Sequence, residues 1–490
     1  MCGCLSMAKA VKILGAGLAG PEAAWQCARR GVAVELFEMR PARQTPAHQS
    51  GDFAELVCSN SLKSDAENSA PWLLKEEMRR SGSLLMEMAR ATAVPAGHAL
   101  AVDRRAFARA VTEAIERQPL ITVRREEVTA IEEDSAITIV ASGPLTSGAL
   151  AREIERLAAT SATSAGEASS ARLYFYDSIS PIVEADSIDA QKVYRAARYD
   201  KGSADYLNCP LSREEYERFL DALLAAESVE TPAWEIAPTS AATAGVGNSD
   251  TTTGVNAPST ASPALSYFEG CLPIEELARR GRETLRFGPM KPVGLRDPRS
   301  GQMPYAVVQL RQENLRADSY NLVGFQNHLR FGEQARVLRL IPGLENARFL
   351  RYGQIHRNTY INAPALLLPT LQMKRHPHVL FAGQISGVEG YVESIATGQL
   401  AGIAAAALAA GRQPTAAPRA TALGSLVNYI CCADARNFQP ANITFDLLQP
   451  LDEATRRKLR DKKMRHRMVC ERALAALKEW LGEIEPLQQN

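Results

Sequence analysis

Residues 1–10 of this 490-residue sequence lack the apolar core of a secretory leader, and the first apolar run, residues 11–14, is only strand-sized. Membrane-length runs are missing too: the longest apolar stretch, residues 400–410, is alanine-rich and about half of what a span requires. Nine cysteines stand at positions 2, 4, 27, 58, 209, 271, 431, 432 and 470, and no two form a CxxC pair. An odd number without paired spacing argues against a zinc ribbon or a disulfide scaffold and for reduced thiols in a cytoplasmic chain. Neither a metal nor a membrane is expected as a partner. The formal net charge of +1 suggests no polyanionic ligand by itself.

The distribution of that charge says more. Residues 455–472 hold nine Lys or Arg against Asp461 and Glu471, a local balance of +7, which leaves −6 for the rest of the chain. Such segregation puts one basic face on an acidic body. A basic helix is expected over residues 454–481, with Leu459, Met464, Met468 and Ala473 on its apolar side. Nine cations in eighteen positions suit the sequence-independent phosphate contacts of a nucleic acid.

With 46% hydrophobic and 23% charged residues the composition is that of a globular protein, and the length allows two domains or one domain with a large insertion. Residues 160–171 and 239–262 are almost wholly Ala, Ser, Thr and Gly. Too few large apolar groups are present there to offset ordering entropy, so both read as surface insertions without chemistry.

Residues 11–14 read as a strand, residues 21–30 as a helix ended by Gly31, and residues 32–38 as a second, alternating strand. A helix over 104–117 and a strand pair within 121–140 follow. Residues 200–360 are rich in alternating strand patterns such as 305–310 and 320–325, and a buried strand returns at 379–382 before a long helix. The pattern is α/β: a Rossmann-like dinucleotide-binding domain in two parts, 1–196 and 369–490, split by an inserted α+β domain at 197–368.

The chemistry starts at Gly15-Ala16-Gly17-Leu18-Ala19-Gly20, a GxGxxG turn between strand and helix. The first glycine permits the tight turn, the second lets a pyrophosphate approach the backbone, and the third lets helix and strand pack closely. Glu38, ending the second strand, is placed to accept a ribose hydroxyl. FAD is favoured over NAD because the unit opens the chain and a second glycine element, with Gly383 and Gln384, follows a strand near the other end. A helix N-terminus there could face the part of a flavin ring that becomes negative on reduction, and for Tyr391 packing on that ring stands beside a role as a core aromatic.

Cys58 lies in ELVCSNSLKS, shortly after the second strand, and Cys271 in FEGCLPIE, directly before an expected helix whose dipole would stabilise a thiolate. The motifs ILGAGLAGPEAA, ELVCSNSLKS, YLNCPL, FEGCLPIEELARRG, FGPMKPVGL, PYAVVQLRQ, GFQNHLRFGEQ, IPGLENARFLRYGQIHRNTYINAP and FAGQISGVEGYVES run in order from Val11 to about Ser394. In this order they resemble the folate- and FAD-dependent tRNA uracil-5-methyltransferases. The resemblance implies an enzyme that takes a methylene group from 5,10-methylenetetrahydrofolate and hydride equivalents from NADH or NADPH, making 5-methyluridine in the tRNA T-loop.

By the same resemblance Cys271 is the nucleophile that activates uracil, and Cys58 is the second family cysteine, near the flavin. Cys209 matches a family element without an assigned reaction and reads as structural. Lys291, Arg311, His328, Arg330, His356 and Arg357 fall within matching elements, as candidates for folate carboxylates, nicotinamide phosphate or RNA phosphates. For His356 a hydrogen-bonded structural role stands beside stacking on a pterin.

Overall fold

The computed structural model describes residues 10–45, 47–132, 136–161, 172–200, 204–229, 272–459 and 461–484, with the side chains of 159–161, 172–178, 200 and 355–357 excepted. Five short strands make the first sheet: β1 (Val11–Leu14), β2 (Val34–Phe37), β3 (Ile121–Arg124), β4 (Thr138–Val140) and β5 (Val379–Phe381). Their order is β5-β4-β1-β2-β3 and every pairing is parallel, with Val11 opposite Val34 and Lys12 opposite Thr138. The strand pair read within 121–140 is therefore corrected. β3 and β4 flank β2 and β1 on opposite sides, because local alternation marks a strand but not its partner.

The helix after β1, Ala19–Ala28, begins inside the glycine turn, two positions before the expected start at Pro21. It packs on a long helix, Tyr391–Ala409, that follows β5. Small residues set that contact: a Cβ at Gly398 would lie 2.4 Å from the Ala19 carbonyl oxygen, and one at Gly402 2.5 Å from that of Ala23. By length and composition the helix would pass for a membrane span, beyond the apolar run read at 400–410. In the fold it is core, with Val392 through Ala406 buried.

A second, antiparallel sheet runs in the order Tyr194–Ala196, Tyr206–Leu211, Ala306–Gln312, Ser319–Leu322, Ile182–Glu184, Phe349–Arg351. It begins before the boundary expected at 196/197. Its core includes Val183, Cys209, Phe219, Leu223, Leu310 and Phe325, closed by the helix Arg213–Leu224. Ser212 and Glu215 form a capping box that fixes the start of this helix. Cys209 is wholly buried, and burial pushes its thiol well above the ordinary range, as suits a structural cysteine. The strand Ile355–Ile361 leaves this sheet and pairs with Arg172–Ser178 instead.

The basic tail differs from one continuous helix. Glu453–Lys458 and Lys462–Ile484 are separate helices. Asp461 accepts from the backbone N–H of Lys463 at 2.9 Å, which caps a new helix instead of continuing the old one. The buried side is Val469, Cys470, Ala473, Leu477 and Trp480, whereas Met464 is exposed. The insertion at 239–262 lies outside the described residues, as does 162–171. Thr160 and Ser161 instead end the helix Gly148–Ser161.

Candidate active site

The two glycine turns share one cleft. Gly15 has φ +104°, and a Cβ there would sit 2.6 Å from the Ala141 carbonyl oxygen. A Cβ on Gly20 would fall 1.9 Å from the Gly15 carbonyl oxygen, so that glycine lets the helix close onto the turn. Gly17 has nothing within 4 Å of the same position and faces open space. The helix crossing at Gly398 and Gly402 brings Gly383, at φ +80°, to within 3.0 Å of the Ala19 side chain, measured from its ideal Cβ.

Gly15, Gly17, Leu18, Ala19, Glu38, Gly383, Gln384 and Tyr391 all line this cleft of about 1040 Å³, counted to its open mouth. Ala16 and Gly20 lie behind it, buried. Its far walls, Glu126–Val128 and Ala141–Ser147, were not singled out in the sequence, where they carry no motif. Open space at Gly17 and an oriented helix N-terminus fit the pyrophosphate of a dinucleotide such as FAD.

Glu38 accepts from the Ala16 backbone N–H at 2.9 Å and from Arg40 Nε at 2.9 Å. Burial opposes its charge, but the bonds and charge of Arg40, with the Ala16 bond, prevail and hold the carboxyl below the usual range. Arg40 is itself buried and also pairs with Glu55. Burial, then the Arg40 charge, pushes His48 down to about 4, so its ring is neutral where it lines the cleft. In the second glycine turn, Gln384 Nε2 donates to Glu389 at 2.8 Å.

Cys58 lies where the two sheets meet. Its backbone N–H donates to the Tyr391 hydroxyl at 2.7 Å, and that of Ser59 does so at 3.1 Å, so Tyr391 ties the cysteine loop to the second glycine turn. Three guanidiniums clamp the loop. Arg104 donates to the Leu56 carbonyl at 2.9 Å and pairs with Glu313; Arg351 donates to the Val57 carbonyl at 2.9 Å; Arg311 donates to Ser59 Oγ at 2.7 Å and Asn60 Oδ1 at 2.8 Å. Cys58 is within electrostatic reach of all three and of Tyr391.

Arg104 and Arg351 were missed as site residues. Arg351 lies in a quoted motif and was within reach, whereas the place of Arg104 depends on how the two domains meet. Lys63, on the strand Ser61–Ser64, pairs with the buried Glu393 at 2.6 Å, and Lys75 pins that strand by donating to the Leu62 and Ser64 carbonyls at 2.8 Å each.

Cys271 lies outside the described residues. The chain is described again from Leu272: Ile274 N–H donates to the Gln326 carbonyl at 2.8 Å, and Glu275 accepts from the His328 N–H at 2.8 Å, with His328 Nδ1 2.7 Å from the same oxygen. His328 is thus tied to the segment that follows Cys271. Arg330 is exposed and paired with Glu227, and Lys291 is half-buried. The side chains of His356 and Arg357 lie outside the described residues.

A parallel sheet with a glycine turn after β1, and a second turn carried onto it by a buried helix, defines a dinucleotide-binding protein of the GidA class. Residues 10–413 match the family model described as GIDA, Glucose inhibited division protein A. GidA of Aquifex aeolicus in two crystal forms superposes with TM-scores of 0.65 and 0.64, covering 99% and 98% of this chain and 75% and 77% of those chains. At 15% and 16% identity that likeness concerns the fold.

Within this class the chain belongs to the methylenetetrahydrofolate–tRNA-(uracil-5-)-methyltransferase TrmFO family. It is 67% identical to the member from Koribacter versatilis, over 98% of this chain and 99% of the relative. Identity to the member from Solibacter usitatus is 61%, over 97% and 99%.

Proposed function

We propose that this chain methylates C5 of the uridine in the tRNA T-loop, position 54, forming 5-methyluridine. The carbon comes from 5,10-methylenetetrahydrofolate and the reducing equivalents from NADH or NADPH through FAD. One observation carries the reading: Cys58, in a chain so similar to proteins of that name, sits on the seam between the dinucleotide cleft and the second sheet.

The turn of Gly15, Ala16, Gly17, Leu18, Ala19 and Gly20 would hold the FAD pyrophosphate on the helix N-terminus, and Glu38 a ribose hydroxyl. Gly383, Gln384 and Tyr391 would meet the flavin end. Bound FAD supplies a carrier for the one-carbon unit and a hydride. Cys271 as thiolate would add to uracil C6 and make C5 nucleophilic; C5 bonds the one-carbon unit, loss of the C5 proton frees that carbon from its carrier, and hydride addition to the carbon restores the C5–C6 double bond as the thiolate departs. Cys58 either takes that proton or protects or relays the one-carbon unit. The reacting uridine must leave its stack to reach this seam.

Cys271→Ala protein should stay yellow and bind tRNA yet transfer no methyl group. Normal turnover by that variant would overturn the assignment of the nucleophile.

A further inference from the structure

Beside the Cys58 loop lies a surface feature that the reaction does not use. Phe349, Tyr352 and Phe331 form a stacked ladder: ring centroids are 5.2 Å apart between Phe349 and Tyr352 and 5.3 Å between Tyr352 and Phe331, each at 22°. Phe331, at the end of the ladder, is 53% exposed.

The ladder is held in place before any ligand arrives. Gln334 accepts from the Gly353 N–H at 2.7 Å and donates to its carbonyl at 2.9 Å, which fixes the chain next to Tyr352. Arg339 donates to the Ala347 carbonyl at 3.0 Å, with its guanidinium 6.0 Å from the Phe349 ring centre.

Its position ties it to both halves of the site. Tyr352 follows Arg351, whose guanidinium holds the Val57 carbonyl beside Cys58. Phe331 lies three residues after His328, which is bonded to Glu275, four residues beyond Cys271. A rigid aromatic face left in water between two such points is apolar surface awaiting a partner. Arg339 is exposed and donates its hydrogen bonds to the Ala347 carbonyl, which leaves its charge, at the Phe349 end of the ladder, for an anionic backbone. A flat π-surface with a cation at one end is what an unpaired nucleobase on a phosphate chain fits.

We propose that Phe331 is a stacking platform for an unpaired tRNA base next to the one that is methylated, with the ladder behind it as a rigid support. The proposal rests on tRNA being the substrate. Stacking against an aromatic is tolerant of base identity, so the platform would position the loop instead of reading its sequence.

The test uses the FAD-loaded enzyme and an unmodified tRNA transcript. Phe331→Ala should raise KM for tRNA at least about fivefold, the lower end for one lost base stack, with kcat, flavin content and thermal midpoint unchanged. Phe331→Tyr should restore KM. In Phe331→Trp, the added tryptophan fluorescence should be quenched by tRNA with the saturation of the binding isotherm.

An unchanged KM in Phe331→Ala overturns the proposal. So does tryptophan emission that ignores tRNA, or that methylenetetrahydrofolate alone quenches. Wild-type enzyme in the same assay separates the two readings: if it methylates the transcript while Phe331→Ala matches it, the platform alone fails; if it does not, the tRNA reading fails first.

Discussion

Gly15 has little conformational freedom in the cleft. Its φ of +104° is costly for a residue with a side chain, and a Cβ would press on the Ala141 carbonyl at 2.6 Å. Gly15→Ala should therefore shift β4 against β1 and lower the flavin-to-protein ratio, read from absorbance after gel filtration. Full FAD occupancy in that variant would contradict the role given to the turn. This position was legible in the sequence because backbone geometry demands glycine at fixed spacing.

The convergence of three arginines on Cys58 was not legible in the same way, although Arg311 was a candidate by its motif. Arg104, Arg311 and Arg351 are far apart along the chain and converge only where the two sheets meet. The Arg104–Glu313 pair, at 13% and 5% side-chain exposure, makes a residue-scale prediction. Arg104→Met leaves a buried carboxylate without its cation and should cost about 3–5 kcal/mol in denaturant unfolding. Arg104→Met with Glu313→Leu should recover much of that loss. Equal destabilisation in the single and double variants would show that the pair is not what holds the loop.

At the scale of elements, Glu77 on the helix Ala70–Arg80 caps the helix Ala422–Cys432 by accepting from the Ala422 N–H at 2.7 Å and the Leu423 N–H at 2.9 Å. Burial pushes this carboxyl up to about 8 against those two bonds. A group whose folded pKa lies above its unfolded value binds more protons when folded, so its contribution is full below about 4.5 and is lost as pH rises through about 8. Unfolding midpoints should fall across that window, and the fall should be shallower in Glu77→Gln. A slope unchanged by the substitution would assign the pH dependence to other groups.

The tail was legible in charge and partly in shape. Its cations stand where the composition put them, but the break at Asp461 was hidden because a cap and a helix interior can carry the same residue. Lys458, Lys462 and Lys463 are exposed on the two helices. Replacing all three with Gln should weaken tRNA binding and flatten the plot of log affinity against log salt by about 0.7–0.9 per lost phosphate contact. An unaltered slope would free the tail from RNA binding.

On the scale of the whole molecule, the proposed function depends on where two cores meet. The parallel sheet supplies the cleft, the antiparallel sheet supplies Arg311 and Arg351, and the Cys58 loop is bonded to both. The sequence indicated two kinds of sheet and the motif order, because alternation and glycine spacing are local. It did not indicate that β3 and β4 lie on opposite flanks of the parallel sheet, because strand partners are chosen by tertiary packing.

The central claim is that a folate-derived carbon passes across this seam to a tRNA uridine. Its most direct test incubates the FAD-loaded protein with methylene-labelled 5,10-methylenetetrahydrofolate, NADPH and unmodified tRNA, with ribosomal RNA in parallel, and maps the label after nuclease digestion. The account predicts label in 5-methyluridine of the tRNA T-loop and none in ribosomal RNA. Label absent from tRNA despite bound FAD and intact tRNA binding, or label found only in ribosomal RNA, would contradict it.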